Sequence, residues 1–394
     1  MLKSIALISM LSFGLTAHTV SADSISLPTS RSSEPPEMEQ TLTNEINSAI
    51  DRALDWLAER QREDGTWSNQ QFPALTALPA WTFIRSDHPQ RDNIVSNAIQ
   101  SILGNLQPDG GIYREVEGRR GGGLSNYNTA IAMTVLHALG DPDLTDTILD
   151  ARTFVSQGQI SGDSVYDGGF GYDVRSEEQD ADLMNTLQVL EAMRYTAELE
   201  EERPQGDTRA TVDWEAAEQF VTRLQNPEEA GEDHAGGFTY NPEESKAGQE
   251  EQEDGTVIFR SYGSMTYAGL LALIYSGVDR DDHRVRSAFD WASRHWTIEE
   301  NPGMGAQGYF FFLNVLSRAL NAYGAEWIPQ EGRDEMLNWR REAALRLVRE
   351  QKIDPETGHG FWRNEDGRFW ENDPVLVTAY SVLALQTIFV QDAQ

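Results

Sequence analysis

Apolar residues recur along this chain in two alternating styles. In the first, Ile46, Ile50, Leu54 and Leu57 return at four- and three-residue steps, which predicts a helix with a single apolar face. That pattern ends at Gln61-Arg62-Glu63-Asp64-Gly65-Thr66-Trp67, where Asp-Gly makes a turn and glycine accepts left-handed geometry. The second style follows over 74–84 and is apolar nearly all round. A further copy runs 94–106, then Gln107-Pro108-Asp109-Gly110-Gly111-Ile112-Tyr113, then 127–139. Later copies are looser, but each keeps a glycine-rich turn with aromatics: Gly168-Gly169-Phe170-Gly171-Tyr172, Gly236-Gly237-Phe238-Thr239-Tyr240 and Gly358-His359-Gly360-Phe361-Trp362. Another copy has 285–295 and 308–323 with Asn301-Pro302-Gly303-Met304-Gly305 between them. The count is six helix pairs.

The two styles assign places. The first helix of each pair has a polar face, as in 336–349 with Arg340, Arg341, Glu342, Arg346 and Arg349, so it belongs outside. The second, as in 265–275 and 375–385, has no polar side and must be buried. Alternating exposed and buried helices build two concentric layers. An open solenoid also satisfies the alternation, but six pairs suffice to close an inner ring within an outer one. The expected fold is therefore all-α, an (α/α)6 toroid of six outer and six inner helices, forming a single domain over 43–394. The aromatic after each glycine turn is expected to cap the outer helix and plug the gap between pairs.

The ends and the composition narrow the setting. Lys3, the apolar run 5–15 and Val20-Ser21-Ala22 read as a secretory signal over 1–22, with export to the periplasm or medium and a mature chain starting near Asp23. Residues 23–42, rich in Ser, Pro and Glu, read as a flexible leader. No transmembrane segment is expected, since even the apolar stretch 375–390 is broken by Thr378, Ser381, Gln386 and Thr387. The net charge of −33 repels phosphate backbones and excludes nucleic acid as a partner. With no cysteine, disulfides, thiolate nucleophiles and cysteine-ligated zinc are impossible.

The turn from Gln61 to Trp67 resembles the Gln-Trp repeat of squalene–hopene and oxidosqualene cyclases, and the Gly-Gly-Phe turns are similar to those of protein prenyltransferase β subunits. The resemblance covers nearly all of 44–389 and resides in the scaffold. It implies two chemistries. The cyclases protonate a polyene with the middle acid of Asp-x-Asp-Asp; here Asp180-Ala181-Asp182-Leu183 places Asp182 at the proton donor's position, while Leu183 replaces the final acid. The prenyltransferases hold zinc with Asp, Cys and His, a ligand set this chain lacks. His137, His234 and His359 are scattered without metal-like spacing, His137 reading as a core residue and His359 as exposed. No metal or other cofactor is expected.

Inner-helix N-termini converge on one mouth of such a barrel, so polar residues just before them are the candidate site. Asp182 and Asp373 are the candidate catalytic acids, and both are also natural helix N-caps, Asp373 especially with Pro374 after it. Tyr127, Arg260, Tyr262, Tyr309, Phe311 and Trp370 are the candidate substrate contacts. Consecutive aromatics at 309–312 cannot share one helix face, so some are expected to reach the lumen. Such a lumen suits an isoprenoid and its carbocations, and equally a sugar ring. Three readings compete: a cyclase-like or isoprenoid-binding protein, a glycan-active hydrolase or lyase using two carboxylates, and a non-catalytic toroid that binds a peptide or protein. The partner is accordingly a hydrophobic small molecule, an isoprenoid, or a peptide in the lumen.

Overall fold

The computed structural model describes residues 40–116, 123–174, 180–252, 254–330 and 336–389. The signal segment 1–22 and the leader up to residue 39 lie outside the described residues. Residues 40–42, placed in the leader by composition, are the first turn of a helix.

Twelve α-helices alternate between two roles among the described residues. The outer set is α1 (Gln40–Ala58), α3 (Arg91–Leu103), α5 (Thr145–Ser156), α7 (Trp214–Arg223), α9 (His283–Arg294) and α11 (Trp339–Glu350). The inner set is α2 (Ala74–Ile84), α4 (Ser125–Leu139), α6 (Leu183–Tyr195), α8 (Gly263–Ser276), α10 (Tyr309–Tyr323) and α12 (Pro374–Phe389). Burial separates the sets: 13 of the 16 residues of α12 are buried, against 5 of 12 in α9. The six inner helices contact one another in sequence order, and α12 returns to pack on α2, so the ring is closed. The only strands among the described residues are two small hairpins, β1 (Gln249–Glu251) with β2 (Val257–Phe259) and β3 (Lys352–Ile353) with β4 (Gly360–Phe361).

The glycine turns hold the repeats together. The glutamine that opens a turn hydrogen-bonds forward to the next outer helix. Gln61 Nε2 donates to Ile94 O of α3 at 2.8 Å, Gln225 Nε2 to Arg284 O of α9 at 2.8 Å, and Gln159 Nε2 to the carbonyl of Asp213, the cap of α7. Gln351 closes the outer layer by donating to Ala49 O of α1 at 2.7 Å. Gly168 shows why the turn needs glycine: its φ is +88°, and a Cβ there would lie 1.9 Å from Ala216 O of α7. The apolar residue after the glycines is sealed inside, with Trp67, Ile112, Phe170, Phe238 and Trp362 all fully buried. Trp67 and Trp362 also cap carbonyls of α1 and α11 with their indole N–H, at Leu57 and Leu347. Each of four turns is pinned to its inner helix by a threonine: Thr129, Thr186, Thr266 and Thr378 accept from the N–H of Ile112, Phe170, Phe238 and Trp362.

Candidate functional site

An inner helix begins with N–H groups that have no partner within the helix. In this toroid the following repeat supplies many of them. Ala74 N donates to Asn128 Oδ1 on α4, and Asn126 N of α4 donates to Tyr172 O. Leu183 N of α6 donates to Tyr240 O, and Ser264 N of α8 to Asn301 Oδ1. Phe311 N of α10 donates to Glu371 Oε1 at 2.7 Å. The loops before α6, α8, α10 and α12 therefore serve the inner helix that precedes them, which gathers those loops at one mouth.

Asp182 sits in this rim as the N-cap of α6. Its Oδ1 accepts from Asn185 N at 2.9 Å and its Oδ2 from Asn185 Nδ2 at 2.7 Å. The residue is 4% exposed, and burial pushes its carboxyl up to about 6, against the Asn185 hydrogen bonds and a hydrogen bond with Tyr240 that favour the anion. Tyr172, Tyr240, Tyr262 and Tyr127 all lie within reach of its charge. Burial raises each of these phenols, and Asp182 raises them further. The Tyr240 hydroxyl lies 3.4 Å from that of Tyr172, whose side keeps 37% exposure at the mouth. Asp180 is exposed, while Leu183 is fully buried in the core.

The opposite sector is built differently. Asp373 caps α12, accepting from Val375 N at 2.9 Å, and is hydrogen-bonded by Ser68 Oγ of the first repeat, a contact that closes the rim. It is only partly buried. Adjacent inner helices pack about 8–10 Å apart, so α6 and α12, three places apart in a ring of six, face each other across its full width. Asp182 and Asp373 are thus committed to separate caps, and the tyrosine shell belongs to Asp182. The carboxylate that α10 uses is Glu371, fully buried, with Asn364 Nδ2 donating to its Oε2 at 2.6 Å; burial raises its carboxyl, opposed by hydrogen bonds from the α10 backbone and Asn364.

The other sequence candidates divide. Tyr127, on the first turn of α4, interacts through its hydroxyl with Tyr380 of α12, and Phe311 packs edge-on to Tyr380 with centroids 5.8 Å apart. Tyr262, the residue before α8, is buried beside Asp182. Trp370 stands 39% exposed at the rim, edge-on to Phe72 at 5.0 Å, with a left-handed φ of +67°. Two candidates point elsewhere. Arg260 lies on the surface with its Nε 3.4 Å from Glu250 of the first hairpin. Tyr309 turns outward: its hydroxyl donates to Ile298 O at 2.5 Å and accepts from Arg346 Nε of α11 at 2.9 Å. A short helix start carries residues on all sides, so neighbours 309 and 311 diverge by about 200°. His359 is half-buried rather than exposed, with Nδ1 3.2 Å from Glu59.

Two features escaped the sequence reading. In the third and fourth turns the pattern is Phe-x-Tyr; the phenylalanine is the buried plug, and the tyrosine two residues on emerges at the mouth as Tyr172 or Tyr240. The second is Glu191, the one carboxylate within the six inner helices. It pairs with Arg318 of α10 and accepts from Tyr275 Oη of α8 at 3.2 Å. Because α8 stands between α6 and α10, this pair spans the lumenal face of α8. Tyr127 and Tyr380 likewise meet across α2, on the opposite side of the ring. The lumen is narrowed from both sides by the chain's own polar side chains. Among the described residues no group of three or more His, Asp or Glu side chains forms a metal cluster, and no helix is long and apolar enough to cross a membrane.

Comparisons bear on the fold. A variant of the type II terpene cyclase MstE from Scytonema, solved with geranylgeranyl dihydroxybenzoate as substrate, is similar over 89% of this chain and 99% of its own, at 13% identity and a TM-score of 0.51. Protein geranylgeranyltransferase-I from Candida albicans, complexed with GGPP, aligns over 87% of this chain and 90% of its own, at 14% identity and a TM-score of 0.49. No protein-family model matches the chain, and no curated protein sequence matches it. At this identity the likeness to the Scytonema cyclase shows the fold alone.

Proposed function

We propose that this chain is an exported isoprenoid-binding toroid, related in design to the terpene cyclases, which takes an apolar polyprenyl-type molecule at the inner-helix mouth against Asp182 and its tyrosines. The observation that carries the reading is Asp182 itself, buried beneath Tyr172, Tyr240 and Tyr262 with its carboxyl pushed up to about 6. A carboxyl in that state carries a proton at mildly acidic pH, and the phenol rings around it offer faces that suit an alkene or a cation. The substrate bound by the Scytonema cyclase, a geranylgeranyl compound, supports an isoprenoid as the class of ligand. Export rests on the segment 1–22.

Binding is better supported than cyclisation. Protonating an alkene demands an unusually strong carboxylic acid, whereas burial here makes Asp182 a weaker one, and Leu183 stands where the cyclases add an acid. The glycan reading is weakened by the geometry of its two acids. Glycosidase carboxyls sit about 5 to 9.5 Å apart, while Asp182 and Asp373 cap opposite helices of the ring.

The test is solvent extraction of the purified chain followed by mass spectrometry, with Asp182→Asn and Tyr240→Ala alongside. A polyprenyl species that co-purifies with the wild type and is reduced in Tyr240→Ala supports the proposal. Turnover of a polysaccharide in a substrate screen, or a lipid-free lumen that also fails to take up added polyprenyl alcohols, would falsify it.

A further inference from the structure

The buried ion pair deep in the lumen has a chemistry the mouth does not explain. Removing two charges from water is unfavourable, and an apolar pair of similar volume in their place is often neutral or stabilising. The inner helices are otherwise almost free of charge: within them only Glu191, Arg194, Arg318 and His137 are ionisable as acids or bases in the ordinary range. Arg194 is used on the outer side, with its guanidinium over the Trp214 ring and its Nε donating to Tyr275 O. His137 is edge-on to Tyr195 near the end of α4. Glu191 and Arg318 remain, facing each other across α8.

Their position is central. Arg318 comes from α10, reaches Glu191 of α6 and Tyr275 of α8, and its charge is felt by Tyr127 of α4 and Tyr380 of α12. Three inner helices thus meet at one guanidinium, and tyrosines of two more lie near enough to feel its charge. Both side chains keep some accessible surface, 15% for Arg318 and 11% for Glu191. The guanidinium has five N–H donors in a rigid fork, and it hydrogen-bonds Glu191 and Tyr275.

We infer that Arg318, Glu191 and Tyr275 form a receptor for the neutral, hydroxyl-bearing end of the lumenal ligand, so that the isoprenoid bound here is an alcohol. This rests on the isoprenoid reading above. A hydroxyl complements the pair in both directions, accepting from Arg318 and donating to Glu191. A carboxylate or phosphate head would share the arginine with Glu191 at the cost of repulsion, inside a chain whose net charge is −33. A hydrocarbon without a polar end would leave the pair's remaining hydrogen-bonding capacity unused.

The experiment is a titration of the purified chain with farnesol, farnesene and farnesoic acid, followed by quenching of tryptophan emission. Farnesol is expected to bind about tenfold more tightly than farnesene, and more tightly than farnesoic acid. In the double variant Arg318→Met, Glu191→Gln the farnesol-to-farnesene ratio is expected to fall to about one. Should the double variant fail to fold by circular dichroism, Tyr275→Phe replaces it, with an expected narrowing of the ratio by about threefold. Equal binding of farnesol and farnesene to the wild type overturns the inference and leaves isoprenoid binding standing, as does a ratio unchanged in the variants. Saturable binding of none of the three removes both.

Discussion

On the α4–α6–α8 side of the mouth, Asp182 caps its helix beneath a shell of tyrosines; on the α10–α12–α2 side, Asp373 caps its helix beside Ser68 with solvent close by. Both carboxylates do the same backbone work, each accepting from an N–H in the first turn at 2.9 Å. Burial distinguishes them. Asp182 is desolvated and pushed up to about 6, although a cap and its helix dipole favour the anion. Desolvation therefore outweighs capping at this site. The lesson is that a capping acid is raised where other side chains roof it over, here Tyr172 of its own loop and Tyr240 of the next repeat.

The strongest way to break the comparison is at Glu371, the buried acid on the Asp373 side that caps α10 from outside. Glu371→Leu strands Phe311 N and leaves Asn364 Nδ2 with only its bond to Ala306 O, and is expected to lower unfolding free energy by about 3 kcal/mol, read by urea denaturation. A loss no larger than that of Asp373→Ala would show that burial adds nothing to the capping done by this acid.

The next test is pH. The Asp182 carboxyl has a folded value raised from 3.8 to about 6, so its contribution is greatest below 3.8, where it is neutral in both states, and is lost as pH rises through about 6. Relative to Asp182→Asn, which keeps an acceptor for Asn185 N, the wild type should lose about 3 kcal/mol across that window. Parallel stability curves for wild type and Asp182→Asn would show that burial does not set this carboxyl apart.

Removing the cap outright sharpens the contrast. Asp182→Leu should cost about 2 kcal/mol by thermal melting, because the buried Asn185 amide loses its acceptors. Ser68→Ala and Asp373→Ala, at a half-exposed cap, should each cost about 1 kcal/mol or less. Finally, Tyr240→Phe removes a hydrogen bond that favours the Asp182 anion, so the carboxyl should titrate still higher, which carbon-13 NMR of the aspartate carboxyls would detect. An unchanged or lowered value would separate Tyr240 from Asp182.

Legibility varied with the range of the interaction. The segments 74–84 and 309–323 could be delimited to within a residue because their apolar character and their flanks, Pro73 and Arg85 around the first and Gly308 and Gly324 around the second, are local properties. The plugs Trp67, Phe170, Phe238 and Trp362 were legible for the same reason, each standing at a fixed offset from its glycine turn. Arg260 and Tyr309 were not, since both sit where an inner helix begins, and only the hairpin at Glu250 and the neighbouring Arg346 decide where they point. Glu191 is a lone acid in an apolar helix that the sequence reading passed over. Nothing local, however, pairs it with Arg318, 127 residues away in the chain.

By itself, then, the sequence determined the number of helix pairs, which helix of each pair is buried, the chemistry ruled out by the missing cysteines, and Asp182 as an acid at an inner-helix start. These follow from periodicity and composition, which act over a turn or two of chain. Only the tertiary structure decided that α12 returns to α2, that Tyr240 and Tyr262 of the next repeat cover Asp182 while Asp373 stays half-exposed, and that Glu191 and Arg318 meet across α8. Those outcomes depend on desolvation and charge pairing between residues brought together by ring closure, and no short stretch of sequence holds both partners.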